Sequence, residues 1–80
     1  MLKVEVFYDG REDHETLGKA QKLRAKYDGR ANFNIVDISK HDTPDKYGKI
    51  HAPAVVLDGM HAFKIEGPDT LSEIMRTAVQ

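Results

Sequence analysis

Eighty residues carry 12 Lys and Arg against 13 Asp and Glu, a formal charge of −1, with 40% hydrophobic side chains and neither cysteine nor tryptophan. This suffices for one small domain, residues 1–80, around a single economical core, and leaves no room for a second. The longest uncharged apolar stretch, Ala52 to Leu57, is far short of the roughly 20 residues of a membrane span, and the first 20 residues lack the apolar block of a signal peptide. The expectation is a soluble, cytoplasmic protein without a membrane partner.

Leu2 to Tyr8 alternates apolar and charged residues through Val6 and is rich in β-branched and aromatic types, which predicts a strand ended by Asp9-Gly10. From Arg11 to Tyr27 the period changes. Leu17, Ala20, Leu23 and Tyr27 recur every three or four residues and predict a helix with one apolar stripe, stopped at Gly29. Glu12, Asp13 and Glu15 fall in its expected first turn, where acids complement the helix dipole, and Asp9 or Asp13 is the expected N-cap. Glu15 and Lys19 stand four apart. Phe33 to Ile38 predicts a second strand, and the helix between the two is long enough for a parallel crossover.

Asp42-Thr43-Pro44 looks like a helix start, limited to one or two turns by Gly48 and Pro53, with Tyr47 and Ile50 facing inward. Ala54 to Leu57 and Met60 to Ile65 are two strands around Asp58-Gly59, a dipeptide that favours a tight hairpin turn. After the break at Gly67-Pro68, Thr70-Leu71-Ser72-Glu73 has capping-box spacing. It leads a final helix whose apolar face is Leu71, Ile74, Met75, Ala78 and Val79. The predicted fold class is α/β in the order β-α-β-α-β-β-α, a four-stranded mixed sheet flanked by helices. A ferredoxin-like β-α-β-β-α-β order would need a terminal strand where Leu71 to Val79 has helical period.

This element order, the segment His51-Ala52-Pro53-Ala54-Val55-Val56-Leu57-Asp58-Gly59 and the later Glu66-Gly67-Pro68 together resemble the thioredoxin and glutaredoxin superfamily over essentially the whole chain. The resemblance implies a thioredoxin-like domain with a cis Ala52-Pro53 bond, an Asp58-Gly59 hairpin turn and Gly67 ahead of the last helix. It also implies that the Cys-x-x-Cys position is occupied by Arg11-Glu12-Asp13-His14. Both sulfurs are absent. Thiol–disulfide exchange requires a thiolate to attack through a mixed disulfide, so a cysteine-free chain is excluded from it by composition.

Several features remain as candidates for recognition. The N-terminus of the first helix offers free N–H groups and Arg11 adds a cation, which suits an anion, although Glu12, Asp13 and Glu15 oppose one. The plainer reading makes Arg11 a solvated surface residue. In the resembled family, the residue before the cis-proline pairs its backbone with an extended peptide or glutathione; here that residue is Ala52, beside Pro53. The resemblance also brings His14 and His51 near each other.

No pair among His14, His41, His51 and His61 has i,i+4 spacing on a helix, and no zinc pattern is completed, so neither metal nor cofactor is expected. Ser39 and Ser72 sit in no Gly-x-Ser-x-Gly elbow. Lys19, Lys22, Arg24, Lys26 and Arg30 form a basic stripe without an aromatic ladder in a domain that is not basic overall. A solvated helix face is expected there, not a nucleic-acid surface. The function expected is a non-redox binding module for a protein or extended peptide, using Arg11, His14, His51, Ala52 and Pro53. One alternative is a small enzyme, or a glutathione- or anion-binding protein, acting through Arg11, His14 and His51 with histidine as proton carrier. The other is a structural subunit or homodimer paired through an edge strand at Met60 to Ile65.

Overall fold

The structure is a computed structural model that describes residues 1–42 and 45–79. It contains β1 (Leu2–Tyr8), α1 (Thr16–Lys26), β2 (Ala31–Asp37), a single 3-10 turn (Asp45–Tyr47), β3 (Ala54–Leu57), β4 (His61–Lys64) and α2 (Thr70–Ala78). The four strands form one mixed sheet in the order β2-β1-β3-β4. β1 runs parallel to β2, with Leu2 opposite Ala31 and Tyr8 opposite Asp37, and antiparallel to β3, with Val6 opposite Val55.

β3 coincides with its predicted span, and β2 starts at Ala31, two residues before the expected Phe33. The expected second helix is only the one 3-10 turn, so the described residues hold two α-helices where three helices were expected. Its predicted start at Thr43-Pro44 lies outside the described residues. Tyr47 and Ile50 are half-buried. β4 is shorter than Met60 to Ile65, because Asp58 (φ 51°) and Gly59 (φ 70°) both take the left-handed conformation and Met60 completes the turn, its N–H bonding Leu57 O at 3.0 Å.

The core lies between the sheet and the two helices. Val4, Val6, Phe33, Val55 and Leu57 pack against Ala20, Leu23 and Tyr27 of the α1 segment and Leu71 and Met75 of α2. Strand alternation sends Glu5 and Phe7 to the opposite face. Glu5, although charged, is only 5% exposed. The 3-10 turn covers it: the Tyr47 hydroxyl donates to the Glu5 carboxylate, and the Phe7 and Tyr47 rings meet edge to face at 6.2 Å.

Both helix starts differ from the pattern: α1 begins later, and α2 begins at Thr70 itself, one residue earlier than a Thr70 cap implies. α1 starts at Thr16 and not near Arg11, and Thr16 rather than Leu17 takes the buried position on its stripe. Glu12, Asp13 and Glu15 therefore precede the helix. The predicted capping box of α2 does not form: Asp69 precedes the helix, and the Thr70 hydroxyl accepts the Gly67 N–H at 2.9 Å. Ala78 is exposed rather than inward. None of the helices described is long and apolar enough to cross a membrane.

Candidate functional site

Where β1 ends, Asp9 begins a tight loop. Its carbonyl accepts the Glu12 N–H (3.1 Å) and Asp13 N–H (2.8 Å), and its carboxylate holds Arg11 at 3.2 Å. Asp37, at the end of neighbouring β2, accepts the Gly10 N–H at 2.8 Å and both the N–H and hydroxyl of Ser39. A Cβ at Gly10 would collide with that carboxylate, so the contact between the two strand ends requires glycine. Asp13 then closes the loop onto α1, its Oδ1 accepting the N–H groups of Glu15 (2.9 Å) and Thr16 (3.0 Å) while Oδ2 takes the Thr16 hydroxyl. Glu15 occupies the formal cap position but makes no side-chain cap bond. Asp13 does the capping from two residues upstream.

This loop faces Pro53 across a cleft made of two adjacent hollows. One, of 240 Å³, runs between Thr16 and Lys19 on one side and Ile65, Gly67, Pro68 and Leu71 on the other. The second, of 480 Å³, lies between Glu12, His14 and Ala52. Asp13, Glu15 and Pro53 line both hollows. The Ala52–Pro53 peptide bond is cis. The Pro53 carbonyl accepts the Ile65 N–H at 2.9 Å, tying the proline to the strand end opposite. Among the described residues, no backbone partner takes the N–H or C=O of half-buried Ala52.

The candidate residues separate into two groups. His14, Ala52 and Pro53 share the cleft. Arg11 is exposed and spent on Asp9, while His51 lines a different hollow beside Tyr47, Ile50 and Lys64. The constellation required for an Arg11, His14 and His51 enzyme is therefore not brought together in one cleft. Nor do three or more His, Asp or Glu side chains among the described residues gather as a metal site would.

The sequence reading did not reach the wall formed by Thr16, Lys19 and Ile65 to Leu71; only the break at Gly67-Pro68 signalled it. Carboxylates dominate the rim. Asp9, Glu12, Asp13, Glu15 and Glu66 surround it, with Lys19 held by Glu15 at 3.6 Å. Asp13 already takes the Glu15 and Thr16 N–H groups at the start of α1, and its charge opposes an external anion there.

Two of these carboxyls, Asp9 and Asp13, and Asp37 at the end of β2 are held below the usual 3.8. Asp37 is lowered by the Ser39 hydroxyl and then the Gly10 N–H, and Asp9 by hydrogen bonding to Arg11. For Asp13, burial pushes upward, but the bonds from Thr16 and Glu15 outweigh it. A depressed folded pKa stabilises the fold above the unfolded value and loses that contribution as pH falls through the folded value. Acid titration is therefore expected to destabilise the protein below about pH 4, with a shallower fall for Asp37→Asn, read by circular dichroism. Coincident curves would show that the strand-end clamp contributes nothing. Comparison of the chain with models of known protein families and with curated proteins gave no match.

Proposed function

We propose that the protein is a thioredoxin-like binding module without redox chemistry, which receives an extended polypeptide in the cleft between the Asp9–Glu15 loop and the Ala52–Pro53 bend. The observation that carries this reading is the backbone N–H and C=O of Ala52, without a backbone partner among the described residues, set at the edge of an open cleft whose other side is walled by Gly67, Pro68 and Leu71. An unoccupied N–H and C=O beside a groove favour strand-like addition, in which main-chain bonds hold the guest and flanking pockets select its side chains. The element order and the His51–Gly59 segment support the thioredoxin-like reading, and the absence of cysteine removes exchange chemistry while leaving a backbone-based grip intact.

The carboxylate rim selects among guests. A segment carrying Lys or Arg next to its extended core gains from Glu12, Asp13 and Glu66, whereas glutathione or an acidic peptide is repelled. Chemical-shift mapping with one extended peptide core, flanked by lysines in one version and glutamates in another, tests both points. The lysine version is expected to perturb the amides of His14, Ala52 and Gly67. Perturbations confined to other surfaces would remove the cleft from consideration, and equal binding of both versions would remove its charge preference.

A further inference from the structure

We infer that two copies of this chain pair edge to edge through β4, in a register centred on Phe63, to form one continuous eight-stranded sheet. Among the described residues, β4 has a neighbour on one side only. The Ile65 N–H points to Pro53 of the β3 side, and backbone polar groups alternate along a strand. His61 and Phe63 therefore bond inward to β3, while the N–H and C=O groups of Ala62 and Lys64 point out from the edge. An outward-facing ladder of this kind invites a second strand.

Charge and chain geometry select one antiparallel register. Centring the pair on Lys64 sets two lysines face to face. Centring it on Ala62 places Lys64 against Met60, which belongs to the turn and not to the strand. Centring on Phe63 pairs Ala62 with Lys64 of the second copy, and Lys64 with its Ala62, so every outward group within β4 is used. Phe63 then meets Phe63 as a close, non-hydrogen-bonded pair.

That register also covers the apolar surface that the monomer leaves open. Phe63 is 44% exposed and borders a groove formed with Leu57, Ile74 and Ala78, with Glu73 at its side. α2 runs back along β4, since Ile65 and Leu71 share one end of the cleft. Pairing on Phe63 sets His61 of the second copy opposite Ile65, on the side of the sheet that carries the Leu57, Ile74 and Ala78 groove. A four-residue edge and one groove fall below the roughly 800 Å² per partner of tight complexes. The dimer is accordingly expected to half-associate on the order of 100 µM.

Absence of cysteine makes the register directly readable. Phe63→Cys places two thiols at the close pair, within disulfide reach, and mild oxidation is expected to convert it to a covalent dimer well ahead of His61→Cys. Mixed Ala62→Cys and Lys64→Cys chains should cross-link to each other faster than either does to itself. In sedimentation equilibrium, Ala62→Pro removes an outward N–H that the monomer does not use and should abolish association while the far-ultraviolet spectrum is retained. Phe63→Glu, which opposes two carboxylates, should do the same if the proline variant fails to fold. A sedimentation mass that stays monomeric to about 1 mM, preferential self-linking of Ala62→Cys or Lys64→Cys, or dimers that persist in Phe63→Glu would each overturn the assignment.

Discussion

Replacing Met75 by alanine is expected to lower the free energy of unfolding by about 2–5 kcal/mol. Met75 is fully buried on α2, among Leu71 of the same helix and the sheet residues of the core, so truncation removes its burial and leaves a cavity that close-packed neighbours only partly fill. A domain of this length has on the order of 4–12 kcal/mol to lose, at roughly 0.05–0.15 kcal/mol per residue. The variant therefore falls close to the threshold of folding. Chemical denaturation should show the loss, and Met75→Leu, which conserves volume, should cost less than about 1.5 kcal/mol. If Met75→Ala and Met75→Leu were equally stable, α2 would not be anchored through this side chain. Because α2 also supplies the Leu71 side of the cleft, peptide binding by Met75→Ala should fall in proportion to the unfolded fraction and no further.

The elements that could be read from the chain are those fixed by local chemistry. Ala54 to Leu57 is a short apolar run between a proline and a left-handed turn, and its boundaries follow from those two stops. α1 starts later than its pattern predicts because acids near a helix start look like first-turn residues. The deciding contact is the Asp13 carboxylate on the Glu15 and Thr16 N–H groups, which makes residues 9–15 a turn of their own. The cleft divides along the same line. His14, Ala52 and Pro53 lie on two short segments that the resemblance could pair, whereas the opposite wall depends on how β4 leads into α2, a long-range property. The charge of Arg11 suggests a place in the site, but Asp9, two residues away, takes that charge up.

Glu5 supplies the second large effect, and its sign can be worked out beforehand. Its carboxylate is buried on the central strand, with the Tyr47 hydroxyl as donor and Lys3 Nζ at 3.6 Å. Tyr47 lies 42 residues further along the chain, so no local pattern foretells the contact. Tyr47→Phe keeps the ring against Phe7 but leaves the buried carboxylate without its hydrogen-bond donor and with only the ion pair to half-exposed Lys3, and removing one member of a buried polar pair is the costly change. Glu5→Leu alone leaves a hydroxyl that can turn toward solvent, since Tyr47 is itself only half-buried. The double substitution Glu5→Leu with Tyr47→Phe removes both polar groups and retains apolar bulk. The expected order of stability places Tyr47→Phe lowest, Glu5→Leu above it, and the double variant near the parent protein. A double-mutant cycle in chemical denaturation measures the coupling. Strict additivity of the two single changes would mean that the carboxylate and the hydroxyl do not depend on each other, and that the Asp45–Tyr47 turn is held to the sheet by the aromatic contact alone.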